Sequence, residues 1–297
     1  MSPASKTELK LDIGRIPQVL LDNTDRNRTS PIAFTGNKFE FRAVGSSANC
    51  AAAMTVLNTV VAAQLKAFKI SVDALIAKGV KKDEAILRTI RDLIAKSKPV
   101  RFEGNGYGEE WKEEAAKRGL RNVVDTPRAL DAWAGKATMK VFKEMGVLTD
   151  KEIKARHDIE LHSYTLKVQI ESRVCADMAM NHVLPAAVHY QNRLITNVQG
   201  LRGILGKEAG EQASATQLDL IQRISGHIEQ LRALSVSMTE ARKTANVLDD
   251  QRAKAIAYCD TVKPFLDLIR YHSNKLELLV DDELWPLPKM RELLFTR

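Results

Sequence analysis

Cysteine is scarce: three residues in 297, at Cys50, Cys175 and Cys259. They are odd in number, far apart and outside any C-x-x-C pairing, which argues against a disulfide framework or a thiolate metal site and makes a reducing cytoplasm the expected location. Proline (9) and glycine (15) are few as well, so collagen-like and low-complexity chains are excluded. Aromatics make up 5%. Long apolar runs are missing too. The best, from Met54 to Phe68, is interrupted by Asn58, Gln64 and Lys66, whereas a membrane span needs about 20 apolar residues. Met1 leads into Ser2-Pro3-Ala4-Ser5-Lys6, which does not read as a secretory leader. What remains is 44% apolar and 28% charged, the composition of a soluble, helix-rich globular protein with no membrane partner.

The charge is uneven. Of the net +8, residues 1–150 hold 25 Lys+Arg against 18 Asp+Glu, or +7, and residues 151–297 hold 20 against 19, or +1. The front half could attract phosphate-bearing ligands. Its cations are scattered among acids, as in Lys81-Lys82-Asp83-Glu84, so no nucleic-acid footprint is expected.

Pattern divides the chain into a small β part and a long α part. Ile32-Ala33-Phe34-Thr35, Gly36-Asn37 and Lys38-Phe39-Glu40-Phe41-Arg42 read as a hairpin around a two-residue turn. Strand side chains alternate, so Phe39 and Phe41 share one face and Lys38, Glu40 and Arg42 the other. Ala51 to Ile70 predicts a mostly buried helix, and Asp83 to Ser97 an amphipathic one stopped by Pro99. Phe102 to Gly108 is a loop; Asp125-Thr126-Pro127 is a helix N-cap with proline just inside. Asp150 opens a helix reaching about Leu205, with Ile170, Val174 and Met178 on one stripe and a kink at Pro185. Two further apolar seams follow, Ile221-Ile224-Ile228-Leu231-Met238 and Ile256-Cys259-Val262-Leu266-Ile269-Leu276-Val280. Joined by Asn246 to Gln251, they predict an antiparallel helical hairpin closed by Pro286 and Pro288, with a short tail from Met290 to Phe295.

The chemistry concentrates near the front. A glutamate flanked at ±2 by cations on one strand face is a place where a carboxylate can hold a divalent metal while the cations hold its anionic ligands. The same spacing also fits a plain surface salt-bridge ladder.

The wider segment resembles glutamine synthetase, in particular its large type III branch. The family's Asn-Arg-[Ser/Thr] loop, basic-x-Glu-x-Arg strand and Ser/Ala-Ala-Asn turn stand here in order as Asn27-Arg28-Thr29, Lys38-Phe39-Glu40-Phe41-Arg42 and Ser47-Ala48-Asn49. The type III character rests on Asn23 to Pro31, on Glu103-Gly104-Asn105-Gly106-Tyr107 and on Lys275 to Pro288. The resemblance implies an ATP-dependent ligase in which glutamate is phosphorylated on its side-chain carboxylate and ammonia displaces the phosphate to give glutamine. It implies Arg28 and Lys38 as ATP-binding residues, Glu40 as a ligand of Mg²⁺ or Mn²⁺, and Arg42 as the residue that binds substrate glutamate. It further implies a homo-oligomeric ring. Ala33 departs from the pattern, standing where the common branch has a second phosphate-contacting arginine.

The family's N-terminal β domain, its paired metal glutamates and its substrate Asn-Gly segment are not visible in these residues. The chain therefore reads as the C-terminal portion of such an enzyme, inactive alone, with no catalytic residue named. The expected layout is a catalytic-domain remnant over 1–70, a helical and loop segment over 71–150 and a helical region over 151–297. This makes the fold mostly α with a small β part: the C-terminal part of the α+β catalytic domain, then the long hairpin. The alternative from another class is a non-catalytic helical oligomerisation or interaction module. The six histidines all fall in helical pattern, and His182 and His189 read as packing or surface residues.

Overall fold

Residues of high helix propensity, unbroken by glycine or proline over long stretches, dominate the chain. The computed structural model is accordingly helical over most of what it describes, residues 49–101 and 108–295 with the backbone of four short strands. The strands are β1 (Glu8–Leu9), β2 (Val19–Leu20), β3 (Ile32–Phe34) and β4 (Phe39–Phe41). The helices begin with α1 (Ala51–Ala77), α2 (Lys82–Ser97), α3 (Glu109–Lys117), α4 (Thr126–Leu130), α5 (Lys136–Glu144) and α6 (Asp150–Met178). They continue with α7 (Leu184–Leu205), α8 (Lys207–Ala213), α9 (Ala215–Asn246), α10 (Gln251–Ala257), α11 (Lys263–Leu279) and α12 (Met290–Leu293). Two structural units divide the chain: residues 1–124 with 135–150, and residues 125–134 with 151–297.

In the first unit β1 pairs antiparallel with β2, and β3 with β4, the latter in the register Ile32↔Phe41, Ala33↔Glu40 and Phe34↔Phe39. The intervening residues 35–38, including the expected Gly36-Asn37 turn, lie outside the described residues. Helix α1 opens where Asn49 Oδ1 accepts a hydrogen bond from the Ala51 N–H at 2.8 Å, serving one of the orphan donors of the first turn. The sequence predicts α1 as mostly buried, and the structure corrects this. Only Thr59 and Val72 are buried, while Met54, Val60, Val61, Leu65 and Ile70 are exposed. The helix is apolar almost all round, but α2 and α5 cover only one side of it. Helix α2 ends at Ser97, and Lys98–Val100 form a 3₁₀ turn in which Pro99 cannot continue the α pattern.

The second unit holds the main core. Leu161, Thr165, Val168 and Ser172 are the buried stripe of α6, and the hydroxyls of Thr165 and Ser172 are satisfied by the Leu161 and Gln169 carbonyls. Ile170, Val174 and Met178 do share a stripe, as expected, but it is the exposed one. Spacing identified the face; it could not say which of two apolar-bearing faces the neighbours would cover. In α9, Ile224, Leu231 and Met238 are buried with Ser235 and Ala245; in α11, Ile269 and Leu276 are buried. Tyr258 bonds Asn246 and His227 meets His272, residue pairs whose numbers sum to nearly the same value, as in an antiparallel hairpin. Asp125 caps α4 through its carboxylate, and Asp250 caps α10 in the same way.

Prolines shape both arms. Pro185 and Pro264 each lack the N–H that would close an α turn, and each is preceded by a π turn, Ala179–Val183 and Tyr258–Val262. The wider turn makes room where the ring would meet a carbonyl one turn earlier. At the far end α11 stops at Leu279, before Pro286 and Pro288, because Val280 turns extended with ψ 143°. Gly206 adopts φ +79° between α7 and α8, and Gly210 lets α8 approach α7 so closely that a Cβ there would lie 2.6 Å from Arg202 Cα.

Candidate functional site

The residues singled out by sequence are unevenly placed. Arg28, Lys38 and Arg42 lie outside the described residues, as does the loop 102–107; Glu40 is located by its backbone alone, opposite Ala33 in the β3–β4 pair. Mg²⁺ takes six oxygens, so a single carboxylate can supply only part of a ligand set. Among the described residues no three His, Cys, Asp or Glu side chains converge into a metal site. His182 and His189 are both exposed. All three cysteines are free, and burial pushes the Cys175 thiol up, away from thiolate chemistry.

Two charge clamps hold the second unit's short helix α4. The Arg128 guanidinium donates to both oxygens of Asp260, at 3.1 and 2.7 Å, and also to Asp125 at 3.1 Å. Arg252 donates to both oxygens of Asp131, at 2.6 and 2.6 Å. These are planar bidentate pairs, the geometry in which an arginine gains most in direction. Arg128 holds the Asp260 carboxyl below its usual range, and Arg252 does the same for Asp131. All four side chains are more than a third exposed, so the pairs fix register more than they add stability. Partners 121 and 132 residues apart leave no local signal in the sequence.

Between α9 and α11, His227 Nδ1 lies 3.0 Å from His272 Nδ1, with Tyr271 edge-on to His272. Burial holds both imidazoles below their usual pKa, and for His227 the neighbouring His272, Arg223 and Lys275 add to the effect. The folded state thus favours neutral rings. As pH falls through about 6.5 the unfolded chain takes up protons first, so the stabilisation present above that pH is lost below it. Melting temperature is expected to fall between about pH 7 and 5, and His227→Gln should flatten that slope. An unchanged slope in the variant would remove the pair from the explanation.

In the first unit, a cleft of about 660 Å³ is lined by Ala95, Lys98, Pro99, Arg101 and Arg118. Three of the five are cationic. Arg118 is held by the Arg101 carbonyl at 2.7 Å, the Pro99 carbonyl at 3.4 Å and Glu114 Oε1 at 2.7 Å, and it lies 5.5 Å from the Trp111 ring centre. Arg101 Nη2 donates to the Ile94 carbonyl at 2.8 Å. Arg118 keeps the Glu114 carboxyl below its usual range. The sequence reads Phe102 to Gly108 as a loop, and the cations that bracket it, Lys98 and Arg101 before and Arg118 after, carry no motif that singles them out.

Residues 85–202, from α2 to near the end of α7, match the family described as the glutamine synthetase C-terminal domain. Over all 297 residues the chain is 52% identical to a glutamine synthetase of Bacteroides fragilis (strain YCH46), covering 41% of that protein. It is 31% identical over 290 residues to a type-3 glutamine synthetase of Dictyostelium discoideum, 39% of which is covered. A glutamine synthetase of Butyrivibrio fibrisolvens is 30% identical over 280 residues, with 38% covered. The chain spans about two fifths of the length of these curated relatives. Among the described residues no helix is long and apolar enough to cross a membrane.

Proposed function

We propose that this chain corresponds to the C-terminal part of a type III glutamine synthetase and contributes to ATP-dependent ligation of ammonia to glutamate through γ-glutamyl phosphate. The observation that carries the reading is the 52% identity over every residue of the chain to a protein of that name. The type III assignment is supported by the type-3 relative and by the segments Asn23–Pro31, Glu103–Tyr107 and Lys275–Pro288. On this reading Arg28 and Lys38 bind ATP phosphates, where cations offset the charge that builds on a transferring phosphoryl group. Arg42 binds the glutamate substrate's carboxylate through its planar fork. Glu40 is one ligand of a divalent metal that neutralises phosphate charge when bound. The remaining metal ligands and the rest of the substrate pocket belong to sequence that the relatives carry beyond the matched span. A homo-oligomeric ring in the cytoplasm completes the proposal, and the exposed apolar faces of α1 and α6 are consistent with burial in such an assembly.

ADP release driven by glutamate and ammonia tests the division of labour. A chimaera in which this chain replaces the matching part of the Bacteroides fragilis protein is expected to turn over, and the chain by itself is not. Turnover of the isolated chain at the chimaera's rate would overturn the proposal that the site is shared.

A further inference from the structure

We infer that the cleft formed by Lys98, Arg101 and Arg118 binds a phosphoryl group, an inference that does not depend on the glutamine synthetase reading. The argument starts from charge. Among the described residues three cations line the cleft and Glu114 offsets one of them, leaving an excess of two positive charges, which matches a phosphate dianion better than a single carboxylate. The second step is order. Both guanidiniums are positioned by backbone carbonyls, which orient an arginine without neutralising it: Ile94 for Arg101, and Pro99 and Arg101 for Arg118. A ligand therefore meets donors already in place and loses less conformational entropy on binding.

Donor capacity is the third step. Arg101 spends Nη2 on Ile94, and Arg118 spends Nε and Nη1 on Glu114 and the carbonyls. Nε and Nη1 of Arg101, Nη2 of Arg118 and the Lys98 ammonium have no partner among the described residues. Planar forks beside a point charge suit a group with several acceptor oxygens. Sequence adds a local reason for the geometry, because Pro99 sits between the two N-terminal cations in a 3₁₀ turn that Lys98 opens and the Arg101 N–H closes on the Lys98 carbonyl.

Amide NMR of the full chain, titrated separately with inorganic phosphate, ATP and adenosine, tests the inference. Phosphate is expected to shift the amides around residues 95–101 and 118, and adenosine to leave them unmoved. Lys98→Gln with Arg101→Gln, both at exposed side chains, should weaken phosphate binding at least tenfold with an unchanged thermal melt. Equal affinities for ATP and phosphate at these amides would identify the phosphoryl group alone as the ligand; a clear preference for ATP would identify a nucleotide as its source. Phosphate that leaves these amides unmoved, or a double variant that binds like the parent, would overturn it. Loss of the Arg28 reading would leave these shifts unaffected.

Discussion

Glu40→Ala in the active chimaera is expected to lower glutamine formation about 10² to 10³-fold. Lewis-acid stabilisation of transferring phosphoryl groups contributes several kcal/mol, and each 1.36 kcal/mol is about tenfold in rate. The effect belongs to a position flanked by Lys38 and Arg42, so the neighbouring variants separate the roles. Arg42→Ala should raise KM for glutamate with the smaller change in KM for ATP, and Arg28→Ala should do the reverse. Steady-state kinetics at saturating metal, with the oligomeric state and melting temperature held constant, read all three. If Glu40→Ala kept full activity, the strand would be the surface salt-bridge ladder that its spacing equally fits.

Leu231→Ala should have the largest effect on stability. Leu231 is fully buried on α9 in a cluster with Ile224, Met238, Tyr258, Val262 and Ile269. Removing three heavy atoms there loses their transfer free energy and leaves a void that the long rigid helices close poorly. The expected cost is about 2–5 kcal/mol, a large share of the 5–15 kcal/mol typical of a domain. Leu278 on α11 is 79% exposed, and its replacement by alanine is expected to change stability by less than about 0.5 kcal/mol. Urea denaturation followed by circular dichroism distinguishes the two.

Those two leucines also show what was legible in the sequence. Seven-residue spacing from Ile224 through Leu231 to Met238 named the buried seam of α9 correctly, because one continuous stripe faces one neighbour. The turn at Asn246 to Gln251 and the Asp125 cap were legible for the same local reason: each is decided by a few adjacent residues. The α6 stripe of Ile170, Val174 and Met178 was legible as a stripe but not as the exposed one, since both faces of that helix carry apolar residues and coverage is decided by distant elements. Helix α1 failed similarly, its apolar composition implying burial that α2 and α5 do not supply. Arg128–Asp260 and Arg252–Asp131 were beyond reach, because nothing local links partners so far apart. The candidate site was legible as a motif, Lys38-Phe39-Glu40-Phe41-Arg42, through its resemblance to a family. Its spacing alone was compatible with ordinary surface chemistry.

The most direct measurement of the central claim is oxygen transfer in the chimaera, using glutamate labelled with ¹⁸O in its side-chain carboxylate. In the proposed reaction a carboxylate oxygen attacks the terminal phosphorus of ATP and ADP leaves. Ammonia then attacks the acyl carbon, and phosphate departs with that oxygen. The account predicts one labelled oxygen in each phosphate formed, with glutamine as the co-product. Glutamine formed alongside unlabelled phosphate would contradict it.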